Sequence, residues 1–148
     1  MQFVSVYIHF VWRPKRGIPY FSTAAKRTAV WRHIRENAEK KAIYIDFVNG
    51  YTDHCHCLIS LNSDQTMSSV MQLIKGESSH WINQSGLCDY KFEWQNEYYA
   101  VSVSDSQVDK VREYIRNQEK HHNEKTFNEE VDEFAAIYGF AKLYDISD

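Results

Sequence analysis

The pattern of apolar residues predicts an α+β fold, a single antiparallel sheet with helices on one face, built as one domain over residues 1–148. Two observations carry this. Runs with a period of two alternate with stretches whose apolar residues recur at helical spacing, and 148 residues with 43% apolar content suffice for one well-buried core but not for two.

The elements follow in order. Phe3–Trp12 alternates through Val4, Val6, Ile8 and Phe10 with β-branched and aromatic residues, so it reads as a strand ended by Pro14, Gly17 and Pro19. Ser22 is the expected N-cap of a first helix whose stripe is Ala25, Ala29, Val30, Ile34 and Ala38, closing near Lys41. A second strand spans Ile43–Val48, with Asn49-Gly50 as a hairpin-type turn into a third strand, His54–Leu61. Thr66 to Ser85 carries the stripe Met67, Val70, Met71, Ile74, Trp81 and Ile82 and is closed by Gly86, which makes it the second helix. Residues 87–97 are loop by composition, and Tyr98–Ser104 is the fourth strand. The order βαββαβ is the ferredoxin-like arrangement.

Two further helices are expected. Ser106 with Asp109 resembles a capping box ahead of the seam Val108, Val111, Ile115, Gln118 and His122, a helix suited to the open face of the sheet. The last helix starts at the box Thr126/Glu129, carries Phe127, Val131, Phe134 and Tyr138, and ends at Gly139.

Charge and cysteine usage narrow the function classes. Residues 1–41 hold nine Lys/Arg against Glu36 and Glu39, whereas the remainder holds eight against eighteen carboxylates. That asymmetry permits a local anion-binding face on an acidic chain. Lys26 to Lys41 read either as part of it or as solvated helix faces; Arg13-Pro14-Lys15-Arg16-Gly17, a basic turn after an aromatic strand, is the better nucleic-acid candidate. Three cysteines show no disulfide framework. No apolar run approaches the roughly 18 residues that span a bilayer, and the start Met1-Gln2-Phe3-Val4-Ser5 lacks the charge of a signal peptide, so a cytoplasmic protein with no membrane partner is expected.

His54 and His56, at i and i+2 on a strand, point to the same face. Cys55 and Cys57 point to the other, so the four do not form one tetrahedral zinc site and the cysteines are assigned to the core. With the first and third strands adjacent, Val4, Val6, Ile8, Phe10, Cys55, Cys57 and Ile59 cover the helix side, and Tyr7, His9, His54 and His56 share the opposite face. Such a pair of imidazoles is either a metal site or a set of satisfied polar groups. Tyr114 and Gln118, four apart, are neighbours on one helix face. Gln118 interrupts an apolar seam, where its amide needs either a metal or an ordinary hydrogen bond.

Asp53-His54-Cys55-His56-Cys57-Leu58 resembles the HUH motif, and Tyr114-Ile115-Arg116-Asn117-Gln118 is similar to the tyrosine-helix signature of the single-tyrosine HUH transposases, including the REP-associated tyrosine transposases. Val6–Arg13, Leu73–Ser79 and Gln118–His122 are also similar, so the resemblance covers about residues 3–140. It implies a transposase with a catalytic Tyr114 on a C-terminal tyrosine-bearing helix, and one divalent ion, Mg²⁺ or Mn²⁺, on His54, His56 and Gln118. It further implies cleavage and rejoining of single-stranded DNA with hairpin-forming ends through a 5′-phosphotyrosine, movement of an insertion sequence, and a homodimer. Trp12, Arg13, Lys15, Arg16 and Lys75 are the expected DNA contacts, since phosphate pairing gives affinity and stacking gives sequence tolerance. The acidic segment Glu129, Glu130, Asp132, Glu133 departs from a DNA-binding surface; it either faces solvent or covers a groove. The alternatives are a domesticated repeat-processing HUH endonuclease and a non-catalytic ferredoxin-like nucleic-acid-binding module.

Overall fold

The sheet has four strands, β1 (Val6–Trp12), β2 (Tyr44–Tyr51), β3 (His54–Leu61) and β4 (Tyr99–Val103), all neighbours antiparallel in the order β2-β3-β1-β4. This is the ferredoxin-like order, with β1 and β3 central. The computed structural model describes residues 3–122 and 126–138; the side chains of His122, Phe134 and Tyr138, and Gly139, lie outside the described part.

Helices α1 (Ala24–Lys40) and α2 (Met67–Ser85) cover one face. Between them and the sheet lie Ile8, Phe10, Trp12, Cys55, Cys57 and Ile59, the parity expected from β1 and β3, with Val30, Ile34, Met71 and Ile74 from the helices. Val4 and Val6 do not join this core. They are 45% and 42% exposed, because β1 begins only at Val6, at the end of the sheet. On α1 the cap is Thr23 rather than Ser22, its hydroxyl accepting from the Lys26 N–H. Trp31 joins the buried stripe while Ala25 is exposed. α2 matches its expected limits, with a Thr66 capping box and Gly86 in the left-handed conformation that ends a helix without steric cost to glycine.

The β2–β3 hairpin corrects the sequence reading. Asn49 and Gly50 are strand residues paired with His56 and Cys55, and the turn is Thr52-Asp53. Gly50 is required for close approach instead: a Cβ there would stand 2.3 Å from the His54 carbonyl oxygen and 2.8 Å from Trp31. A register shift between Ile45 and Phe47 marks a β-bulge. It leaves Ile45 in the helix-side core but turns Phe47 and Asn49 to the opposite face.

On that opposite face α3 (Val108–Arg116) buries Val108, Val111 and Ile115 against Leu58 and Val103. The expected Ser106/Asp109 box is absent. A 3₁₀ turn, Asp105–Gln107, leads into α3 with no side-chain cap, and Asp109 pairs with Arg112. The helix does not run on to 122: it breaks at Asn117, after which a short α4 (Gln118–His122) begins. Helix α5 (Phe127–Tyr138) starts where expected, Thr126 accepting from the Glu129 N–H.

Candidate active site

Strand alternation on β3 sends His54 and His56 to the α3 face, where both are buried. Their Nε2 atoms point to one spot. His54 Nε2 lies 3.0 Å from Gln118 Oε1 and 3.2 Å from Glu130 Oε2, and His56 Nε2 lies 3.0 Å from Glu130 Oε1. The other ring nitrogens are held from behind, His54 Nδ1 at 2.9 Å from Asp53 and His56 Nδ1 at 2.9 Å from His9 Nε2.

Tyr114 stands beside them. Its ring meets His56 edge-on at 5.7 Å, and its hydroxyl donates a short hydrogen bond to Glu130 Oε1, which also accepts from the Gln118 amide at 3.0 Å. Two polar clamps fix α3 on β2. Asp46 takes Arg112 bidentately at 2.7 Å, and Asn49 donates to the carbonyls of Ile115 and Arg116 at the helix C-terminus. The Asn49 contact sits next to the break at Asn117, which turns Gln118 toward the histidines.

Burial alone would strip His54 of its proton, but Asp53 and Glu130 outweigh it and raise its pKa to about 9. An imidazolium held between the Asp53 and Glu130 carboxylates is the result. Burial, with His56 adding to it, instead holds His9 well below the ordinary histidine range, so His9 is neutral. Tyr114 is pushed well above the ordinary phenol value by burial, then by the Glu130 carboxylate.

His54, His56 and Glu130 each offer a ligand atom, all within 4.8 Å of one another. With the Gln118 oxygen this makes a mixed set of imidazole, carboxylate and amide donors, which fits a first-row divalent ion or Mg²⁺. Asp53 stands at hydrogen-bond distance behind the His54 ring, as a carboxylate commonly does behind a histidine ligand.

The residues expected from sequence at the centre, His54, His56, Tyr114 and Gln118, are therefore brought together. Glu130 was missed. Its signal was local: it lies three residues after Phe127 and one before Val131, on the apolar side of α5, where a carboxylate is out of place unless it has partners. It is 3% exposed, whereas Glu129 and Asp132 face solvent, so the acidic segment does both things expected of it. Phe127 packs on the His54 ring at 4.7 Å, and α5 closes over the site.

The expected DNA contacts fare unevenly. Trp12 is a correction: it is 1% exposed, inside the helix-side core against Trp94, because its parity on β1 is that of Phe10, and no ring face is free for a base. Arg13 is half-buried, bonded to Gln95 and lying over the Phe127 ring. Lys75 donates to the Gln95 and Asn96 carbonyls, and burial lowers its pKa to about 8. Only Lys15 and Arg16 are exposed, Lys15 with a loose pairing to Glu93 at 3.4 Å. A cavity of about 610 Å³ beside them, between α2 and residues 93–98, is lined by Gln72, Lys75, Trp94 and Tyr98. None of the histidines lines it.

The four-stranded ferredoxin-like sheet thus carries two histidines on the face where α3 and α4 bring a tyrosine and a glutamine to meet them. The chain belongs to the IS200-like transposase family, whose model matches residues 2–118 and so ends at Gln118, before α5. The transposases for insertion sequence element IS200 of Salmonella typhimurium and of Salmonella typhi are each 30% identical to it over 116 residues, covering 74% of this chain and 74% of theirs. Two solved structures share the fold at 16% identity. A putative transposase from Deinococcus radiodurans R1 has a TM-score of 0.62, covering 79% of this chain and 93% of its own. A REP-associated tyrosine transposase bound to a REP hairpin has a TM-score of 0.63, covering 100% of this chain and 91% of its own. Among the described residues no helix is long and apolar enough to cross a membrane.

Proposed function

We propose that this IS200-like transposase cleaves and rejoins single-stranded DNA through a phosphotyrosine on Tyr114, with one divalent ion, Mg²⁺ or Mn²⁺, held by His54, His56 and Gln118 and joined by Glu130. The observation that carries this reading is the convergence of those side chains on one spot from β3, α3, α4 and α5. When bound there, the ion polarises the scissile phosphate and offsets the charge that develops on it.

The chain's own residues do the rest. Tyr114 Oη attacks phosphorus, the bond to the 3′ oxygen breaks, and a 5′-phosphotyrosine forms. Glu130 Oε1, already the acceptor of the Tyr114 hydroxyl, takes the phenol proton and returns it to the departing 3′ oxygen. A buried phenol whose pKa stands above its usual value needs such an acceptor. In the reverse sense a 3′-hydroxyl attacks the phosphotyrosine, gives its proton to Glu130 and frees Tyr114. The ester conserves the bond energy, so no ATP is used.

A hairpin-bearing strand is the proposed substrate, supported by the hairpin on the REP-associated neighbour, with Lys15 and Arg16 as its phosphate contacts. The homodimer is proposed because two DNA ends need two tyrosines; within one chain the ligands already meet.

The test incubates the full chain with hairpin-bearing single-stranded DNA and Mn²⁺ and looks for a covalent adduct on a denaturing gel. An adduct is expected with the unaltered chain and none with Tyr114→Phe; persistence in that variant would overturn the assignment. His54→Ala combined with His56→Ala is expected to abolish Mn²⁺ binding by calorimetry.

A further inference from the structure

The centre of the sheet holds a histidine that the proposed chemistry does not use. His9 lies on β1, one of the two central strands, paired with Leu58 of β3 and Val101 of β4. It is fully buried on a face otherwise packed with Leu58, Val103 and Tyr114. A leucine or valine would pack there without the cost of desolvating an imidazole. The compensating contact is specific: His9 Nε2 lies 2.9 Å from His56 Nδ1. The ring is also tilted 36° to that of His56 at 5.1 Å and meets Tyr114 edge-on at 6.2 Å, so the three rings pack as a triangle.

A neutral imidazole carries one N–H. If His56 gives the lone pair of Nε2 to an ion, its proton sits on Nδ1 and needs an acceptor there. We infer that His9 is a positioning residue for the metal centre: its Nε2 accepts the His56 Nδ1–H, selecting the tautomer and the ring orientation in which His56 Nε2 faces the ion. His54 is served differently, by the Asp53 carboxylate on Nδ1. The two ligands are therefore oriented by different chemistries, one by an anion from the hairpin turn and one by a neutral ring from the central strand. His9 touches neither the site of attack nor the ion, and its effect passes through His56. The inference rests on the metal-binding reading proposed above.

The experiment is a Mn²⁺ titration of the full chain without DNA, followed by calorimetry, on the unaltered protein, His9→Leu and His9→Gln, with the metal-free melting temperature of each. His9→Leu keeps the bulk and removes the acceptor, and is expected to weaken Mn²⁺ binding by about 10- to 100-fold without lowering the metal-free melting temperature. His9→Gln, whose amide oxygen reaches the place of Nε2, is expected to restore most of the affinity. Unchanged affinity in His9→Leu, or a loss in His9→Gln as large as in His9→Leu, overturns the inference. Failure of the unaltered chain to bind Mn²⁺ overturns the metal reading itself, which keeps the two failures apart. Where His9→Leu does not fold, the unaltered chain loaded with diamagnetic Zn²⁺ decides by ¹⁵N NMR. The proton is expected on His56 Nδ1 with His9 Nε2 bare, and a protonated His9 Nε2 overturns the inference.

Discussion

His54 sits at the junction of stability and binding. Its ring is wholly buried, yet Asp53 and Glu130 keep it charged to about pH 9. The folded value lies above the ordinary histidine value, so its contribution is fully present below about pH 6.5 and is lost as pH rises through about 9. In chelator, the urea midpoint is expected to fall across that window, by an amount on the order of 3 kcal/mol at most. A flat profile would mean that the imidazole is neutral throughout. Gly50 shows a second constraint at this scale. Its missing Cβ makes room for the His54 carbonyl oxygen and the Trp31 ring, one of them backbone and unable to move aside. Gly50→Ala is expected to cost about 3 kcal/mol as overpacking, measured by chemical denaturation, and to disturb the strand that carries both ligand histidines.

At the scale of elements, the site depends on how α3 is seated. The bulge between Ile45 and Phe47 changes which face the second half of β2 presents, and this lets Asn49 cap the end of α3. The next residues, Asn117 and Gln118, then turn toward β3. Asn49→Ala leaves two helix-end carbonyls without that donor and is expected to cost about 1–2 kcal/mol of stability. It is also expected to weaken Mn²⁺ binding, because Gln118 loses its fixed approach; an unchanged Mn²⁺ titration would show that the break at Asn117 holds itself. Helix α5 seats against the same site from the other side. With Phe127 on His54 and Glu130 on Tyr114, α5 supplies a carboxylate that enters the centre from the C-terminal segment.

For the whole molecule, the formal charge of −3 and the small number of expected contacts that face solvent set the terms of DNA binding. Of the expected contacts, Lys15 and Arg16 face solvent, Arg13 is engaged with Gln95 and Phe127, and Lys75 braces the loop before β4. Two or three phosphate pairings on a single strand give a log–log salt dependence with a slope of about −1.4 to −2.1. Binding of a hairpin with a single-stranded flank, titrated by anisotropy at several salt concentrations, is expected to show that shallow slope. A much steeper one would mean a broader basic surface, formed by a second copy or by movement of α5.

Sequence alone determined the element order, the limits of β3 and α2, and the face on which the histidines lie. Alternation along a strand and 3.6-residue periodicity along a helix are local properties, written in neighbouring residues. The pairing of Tyr114 with Gln118 was legible for the same reason, even though the helix between them turns out to be broken. Trp12 was misread because an aromatic residue looks the same in sequence whether it stacks on a base or on Trp94; parity with Phe10 was the clue that it belonged inside. Asn49-Gly50 was misread as a turn because a glycine required by close packing and one required by a positive φ are the same letter. Only the tertiary structure decided that Glu130, from a helix that composition marks as acidic surface, enters the site, and that His9 stands behind His56. Those contacts join segments distant in the chain, and their geometry follows from how the bulge, the helix break and the packing of α5 on the sheet combine, which no local pattern encodes.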